Sequence, residues 1–278
     1  MKDIQLVMSD IDGTILADDH QLDNELKATL NMLQEQQVSF VLASARSPKG
    51  MYAIAEALKI KKQPLVCYNG ALILENADEQ DYSPIFSHEL EKAEVQKMLD
   101  ILENNFPEIT INLYAAKDWY IKEYNDWTEL EAGITKETPI KTNLKELIAS
   151  STRPIHKLLL IGETAAIQSC YEYLENMELE TSAFYLSKEN YLEITHQEVS
   201  KEKALTELAE HFGLSFDNIL AMGDNFNDIP MLSLAGIGVA MENAPAAVQK
   251  SADKITASNN KNGASQALKK ICAKEKRW

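Results

Sequence analysis

Cysteine is scarce. The 278 residues hold three, Cys67, Cys170 and Cys272, and none stands in a Cys-x-x-Cys pair. That excludes a thiolate zinc spacing and a disulfide framework, and a reducing, cytoplasmic setting is the expectation. Cys67, within Leu65-Val66-Cys67-Tyr68, reads as a small core residue. Long apolar runs are missing too: none approaches the ~20 residues needed to cross a bilayer, and Met1-Lys2-Asp3-Ile4-Gln5 is no apolar signal region. Positive charge is in short supply, 27 Lys and Arg against 43 Asp and Glu, a formal charge of −16. Phosphate backbones and anionic lipid surfaces attract basic proteins, so nucleic acid and membrane are poor partners for this chain. A small anionic substrate is still admissible, because salt screens a distant surface field over about 10 Å. Repeats and low-complexity tracts are absent. His88-Glu89 lacks the second histidine of a zinc-protease helix, and His156 and His196 read as lone structural or exposed residues.

What is there is an alternation of strand and helix patterns. Ile4 to Met8 is a short apolar run that ends at Asp10-Ile11-Asp12-Gly13-Thr14, a buried strand entering a loop. Asp23 is a candidate cap for a helix carrying Leu26, Leu30 and Leu33. Ser39 to Ala43 reads as a strand, Ser47-Pro48 as the start of a helix, and Pro64 to Tyr68 as a third strand. Such βαβ alternation implies an open α/β parallel sheet. The acidic stretch from Asn76 to Pro84 reads as a hairpin tip and linker. Beyond it come a helix around Val95 to Leu102, paired strands 109–114 and 119–124, a strand at 157–161, a helix at 165–177 and a strand at 182–186. This mixture suggests an α+β insert over 83–187. The alternation resumes with strands at 191–195, 219–222 and 237–241, a helix capped by Ser200, and Asn243 as a cap before Ala244-Pro245. The expected organisation is a discontinuous core, 1–82 and 188–278, interrupted by the insert.

Four features fall at predicted strand ends or helix starts: Asp10/Asp12, Ser44-Ala45-Arg46, Lys201, and Gly223-Asp224-Asn225-Phe226-Asn227-Asp228. Sites in open α/β sheets gather at the carboxyl ends of the strands. Paired carboxylates at a loop suit a nucleophile or metal ligand together with a general acid/base. Two carboxylates about 4 Å apart repel by roughly 4 kcal/mol at an effective dielectric of about 20. Asp10, Asp12, Asp224 and Asp228 in one pocket would therefore demand a cation, and an all-oxygen donor set selects Mg²⁺ over zinc.

The DxDGT stretch at Asp10 resembles the first motif of the haloacid dehalogenase superfamily, and Gly223 to Leu232 is similar to the fourth motif of its Cof-like subfamily. Asn69-Gly70-Ala71, Val199-Ser200-Lys201 and Met241 to Ala244 also fit. The resemblance implies a Rossmann-like parallel-sheet core with an inserted cap, and Mg²⁺-dependent hydrolysis of small phosphorylated metabolites, sugar phosphates foremost. It implies Asp10 as nucleophile, Asp12 as general acid/base and Lys201 as charge balance. It implies Ser44, Ala45, Arg46, Asn69, Gly70 and Asn227 around the phosphate and substrate. Asp10, Asp12 (through its carbonyl) and Asp224 would hold the metal, with Asp228 behind them. A phosphomutase on the same scaffold and a non-catalytic metabolite-binding regulator are the alternatives. Ala45 and Glu202 depart from the family pattern, each standing where glycine is frequent. Arg46 divides evenly between phosphate and a structural ion pair. Trp119, Tyr120 and Trp127 read as core or cap surface rather than substrate contacts.

Overall fold

The computed structural model describes residues 3–272, so the expected frayed helix end at Lys274 to Trp278 lies outside the described residues. In chain order the elements are β1 (Leu6–Ser9), α1 (Leu26–Glu35), β2 (Ser39–Ala43), α2 (Lys49–Leu58), β3 (Leu65–Cys67), β4 (Leu72–Leu74), β5 (Pro84–Ser87), α3 (Lys92–Asn105), β6 (Thr110–Ala115), β7 (Asp118–Ile121), α4 (Asp126–Thr135), β8 (Ile140–Lys141), α5 (Leu144–Ser150), β9 (Ile155–Ile161), α6 (Thr164–Glu175), β10 (Ser182–Lys188), β11 (Tyr191–His196), α7 (Lys201–Phe212), β12 (Ile219–Gly223), α8 (Ile229–Leu234), β13 (Ile237–Ala240), α9 (Ala246–Ser251), β14 (Lys254–Ile255) and α10 (Gly263–Cys272).

The chain forms two compact units. The first takes residues up to Ala45, Met51–Ile85 and those from Ser200 onward; the second takes Arg46–Gly50 and Phe86–Val199. The first unit is built on an eight-stranded sheet ordered β14-β13-β12-β1-β2-β3-β4-β5. Pairing is parallel from β14 through β3 and antiparallel between β3 and β4. Its central strands are apolar on both faces, as a sheet covered on both sides requires: Leu6, Val7, Met8, Val41, Leu42 and Ile219 through Met222 are wholly buried. Helix α1 turns Leu26, Thr29, Leu30 and Leu33 into this core. Asp23 does not cap α1. The cap position is Glu25, and Asp23 instead accepts the backbone N–H groups of Glu25 (2.9 Å) and Ser265 (3.0 Å). Ser47 and Ser200 do act as caps, accepting from the N–H groups of Gly50 (3.1 Å) and Lys203 (3.0 Å).

One feature of this order locates the site. From β1 the strands proceed in one direction through β2 and β3, and in the other through β12 and β13. The connections therefore diverge between β1 and β12, and the carboxyl ends flanking such a switch point form the natural crevice of a doubly wound sheet.

The second unit carries a six-stranded sheet ordered β10-β11-β9-β6-β7-β8, antiparallel except for β7 with β8. Leu113, Leu158, Leu160, Leu192 and Ile194 share a core with Val95, Leu99, Ile148, Ile167 and Leu174 from α3, α5 and α6. Strand alternation puts Asn112, Tyr114 and Lys157 on the opposite face. Here Trp119 Nε1 donates to Asn112 Oδ1 (3.1 Å) and Tyr114 stacks on Trp119, so Trp119 is a core residue. Tyr120 donates to Asp118 (3.3 Å), and Trp127 is half-buried. Strand β11, expected in the core, pairs with β9 and β10 in the second unit, which runs to Val199.

Candidate active site

Strand β1 delivers Asp10 to the switch point, where its N–H donates to the Met222 carbonyl of β12 (2.9 Å). Beyond it the chain winds tightly: the N–H groups of Thr14, Ile15 and Leu16 all donate to the Ile11 carbonyl, at 3.3, 3.0 and 3.0 Å. Gly13, at the head of this turn, has φ +82°, and a Cβ there would collide with the Asp224 carboxylate. Only glycine combines that dihedral with that closeness. The loop is tied down by Asn243, whose Nδ2 donates to the Gly13 carbonyl (2.9 Å) while its Oδ1 accepts from the Asn259 N–H (3.0 Å). Asn243 is therefore not a helix cap. Helix α9 starts at Ala246, with Pro245 before it and no side-chain cap.

Strand β12 delivers Asp224 in the same way, and the chain then doubles back so that Asp228 faces its own loop. Asp228 Oδ2 accepts the N–H groups of Asp224 (3.0 Å) and Asn225 (2.9 Å). A Cβ at Gly223 would stand 2.5 Å from Asp228 Cγ, so this hairpin of charge needs glycine. Lys201 opens α7 and is 1% exposed. Its Nζ donates to Asp228 Oδ1 (2.6 Å) and to Asp10 Oδ1. Carboxylate oxygens of Asp10, Asp224 and Asp228 all lie within 4.8 Å of one another. Thr14, to which the motif gives no role, donates its hydroxyl to Asp224 Oδ1 (3.0 Å). A hydroxyl directly after a glycine turn was the available signal.

The electrostatics follow from burial and charge balance. Burial raises the Asp10 pKa well above its ordinary value; Lys201 opposes this, and Asp228 and Asp224 add to it. Asp224 is pushed up to about 6, by burial first and Asp228 second, against the Thr14 hydrogen bond and Lys201. Burial would lower the Lys201 pKa, but Asp10 and then Asp228 outweigh it and the net shift is upward. Three buried or half-buried acids thus share one lysine, and two of them are held back from ionising. An all-oxygen donor set with surplus negative charge fits Mg²⁺. Asp12 is exposed, and its charge acts on Asp224.

A second group joins through the backbone. The buried Ser44 donates its N–H to the Val66 carbonyl (3.0 Å), and its own carbonyl accepts from the Asn69 N–H (2.8 Å). Asn69 Oδ1 accepts from Asn227 Nδ2 (3.3 Å). Ser44, Asn69 and Asn227 therefore meet, bridging the ends of β2, β3 and β12. Tyr68 and Asn69 both have left-handed φ, 53° and 57°; holding such residues there costs on the order of 1–3 kcal/mol each and is a mark of functional loops. Gly70 is buried beside them. Ala45 ends the first unit's stretch, whereas Arg46 belongs to the second unit, where its Nη1 donates to the Gly50 carbonyl (3.3 Å).

The histidines differ from expectation in having partners, although the wholly buried His156 has the structural character expected. His156 and His196 are not lone residues: His196 lies beside His88, ring centroids 6.1 Å apart, and His156 Nε2 is 3.0 Å from the Ser87 hydroxyl. The His156 pKa is pulled down to about 4, by burial first and His88 second.

The chain matches the model of the haloacid dehalogenase-like hydrolases over residues 7–268. It is 33% identical over 258 residues, 92% of this chain and 94% of the relative, to a Haemophilus influenzae protein provisionally named a phosphatase. It is 27% identical to the 5-amino-6-(5-phospho-D-ribitylamino)uracil phosphatase YcsE of Bacillus subtilis, covering 96% of this chain and 95% of that one. Among solved structures, a haloacid dehalogenase-like hydrolase from Bacteroides thetaiotaomicron superposes with a TM-score of 0.88 at 27% identity, over 96% of this chain and 99% of that one. With the acid cluster at the switch point, these matches place the chain in the haloacid dehalogenase-like hydrolase family, as a Cof-like phosphatase.

Proposed function

We propose that the protein hydrolyses small phosphorylated metabolites, sugar phosphates foremost, in a Mg²⁺-dependent reaction with an aspartyl-phosphate intermediate on Asp10. The observation that carries this reading is the convergence of Asp10, Asp224 and Asp228 within 4.8 Å, with Lys201 bonded to two of them. The phospho-D-ribityl substrate in the name of the Bacillus subtilis relative supports the substrate class.

In this reading Asp10 attacks phosphorus and the leaving oxygen departs with a proton from Asp12. Asp12 then takes a proton from the water that hydrolyses the acyl phosphate. Lys201 holds the Asp10 carboxylate in place and balances charge on the phosphoryl oxygens. Ser44 and Asn227, with backbone N–H groups of the loop between Asp10 and Gly13, ahead of those that bond the Ile11 carbonyl, hold the phosphate. Asn69 orients Asn227 through the bond they share. The carboxylates of Asp10 and Asp224 and the Asp12 carbonyl would hold Mg²⁺, with Asp228 behind; when bound, the cation would lower the repulsion between a carboxylate and a phosphate dianion. Specificity belongs to the second unit.

The test is inorganic phosphate release from a panel of hexose and pentose monophosphates with Mg²⁺. Hydrolysis that EDTA stops and Mg²⁺ restores, with no phosphate-shifted isomer formed, is the expected result. Isomer formation without phosphate release identifies a mutase instead, and no turnover of any phosphate ester leaves the regulator.

A further inference from the structure

Three of the chain's five histidines, His88, His156 and His196, converge in the second unit although they are far apart in sequence. Two of them meet a carboxylate. His88, His196 and Glu198 each offer a ligand atom, and the three atoms lie within 4.8 Å of one another. His88 Nδ1 stands 3.9 Å from Glu198 Oε2. The rings of His88 and His196 are tilted by 33° with centroids 6.1 Å apart. His88 comes two residues after the inserted segment begins at Phe86, and His196 and Glu198 come just before it ends at Val199. The cluster thus joins the first and last residues of that segment.

We propose that His88, His196 and Glu198 form a binding site for one Zn²⁺-class transition-metal ion, separate from the acid cluster at Asp10. Two imidazole nitrogens and one carboxylate oxygen are a ligand set that Zn²⁺ accepts in tetrahedral geometry, with water in the fourth position. Mg²⁺ prefers oxygen donors and does not compete well for imidazole. The two clusters therefore sort metals by donor type: oxygen only at Asp10, nitrogen-rich at His88. The His88 side chain is 16% exposed and that of Glu198 60% exposed, so the carboxylate lies on the solvent side of the cluster. The site has one cost. His196 Nδ1 accepts the Glu198 N–H at 3.2 Å, and ligation through that ring replaces or reorients this bond. The expected affinity is accordingly micromolar, weaker than that of a closed four-ligand structural site. A bound ion would tie the two ends of the inserted segment to each other, and because the unfolded chain holds no such constellation, binding would raise the stability of the fold.

The experiment is calorimetric titration of the full chain with Zn²⁺ in excess Mg²⁺, which keeps the acid cluster occupied, alongside thermal unfolding with and without Zn²⁺. The expected result is one saturable Zn²⁺ site and a rise in Tm. His88→Ala and His196→Ala should each weaken binding by roughly tenfold or more, since even the outer partners of metal ligands are worth that much. Glu198→Gln should weaken it less, and Asp224→Asn should leave it unchanged. Because Glu198 is exposed, Glu198→Ala folds normally and carries the test if a histidine variant does not. Absence of a saturable Zn²⁺ site overturns the proposal. So does a site that survives the folded variants of this cluster, or one lost on Asp224→Asn. None of these outcomes bears on the phosphatase reading, which is tested by phosphate release.

Discussion

Buried charge is arranged differently in the two units. In the first, Lys201 sits between Asp10 and Asp228 with direct bonds to both, and a third acid, Asp224, stands beside them. In the second, the buried Lys157 is 3.6 Å from Glu193 and 4.8 Å from the centre of the Tyr114 ring. Glu131 and Glu137 are buried nearby, their pKa values raised by burial first; Lys157 opposes this at Glu131, and the Ser47 hydrogen bond and then Lys157 at Glu137. Both clusters hold more acid than base. The first has its geometry locked by glycines at 13 and 223, by backbone donors to Asp228 and by hydroxyl and amide anchors, as a catalytic constellation must. In the second the anchors are hydroxyls, Tyr191 at Glu131 and Ser47 at Glu137, and burial favours the protonated form of both glutamates. Surplus charge alone does not mark an active site; surplus charge held rigidly at the switch point of a parallel sheet does.

The comparison can be broken most sharply at Asp10. Asp10→Asn should retain the fold, read by circular dichroism, and lose at least about a thousand-fold in kcat, as loss of a nucleophile does; the same substitution class in the other cluster, Glu193→Gln, should leave turnover of a minimal aryl phosphate within a few-fold. Next come the lysines. Lys201→Met leaves Asp10 and Asp228 facing each other and should cost about 3–5 kcal/mol in denaturant unfolding. Lys157→Met should cost about 1–3 kcal/mol, the range for leaving a buried polar group without its partner.

The third prediction concerns pH. The folded-state pKa of Asp224 is raised from 3.8 to about 6. A raised carboxyl pKa contributes stability that is full below the ordinary value and is lost as pH rises through the folded one. The metal-free protein should therefore lose stability between about pH 4 and 6 from this group. Mg²⁺ competes with that proton, so the Tm increase it produces should be larger at pH 7.5 than at pH 5. The smallest effect belongs to Asn243→Ala, which releases the Gly13 carbonyl: about 1 kcal/mol in stability and a several-fold fall in kcat.

Much of the first unit was legible in sequence because its signals are local. Ile4 to Met8 and Ile219 to Met222 are apolar runs stopped by acid-bearing loops, and the parallel strands they give, Leu6–Ser9 and Ile219–Gly223, are buried throughout. Ser200 announces α7 by its cap, which puts Lys201 at the helix start. Three things were not legible. Helix α4 has no apolar stripe, since the residues it buries are Thr128 and Glu131, so periodicity could not find it. Strand β11 was visible as a strand, but alternation reports that a strand exists and not which sheet takes it. The contacts of Asn243 with Gly13 and of His88 with His196 join distant parts of the chain, and neither spacing nor motif encodes them. Thr14 is intermediate, within the motif but with a partner, Asp224, that only the fold supplies.

The most direct test of the central claim, that Asp10 and Asp224 share one divalent cation beside the attacking carboxylate, is a calorimetric Mg²⁺ titration at pH 7.5 of the wild-type chain and of Asp224→Asn. One Mg²⁺ site in the wild type, lost or weakened at least about a hundred-fold in the variant, is the predicted result. Equal Mg²⁺ affinity in the two proteins would contradict it.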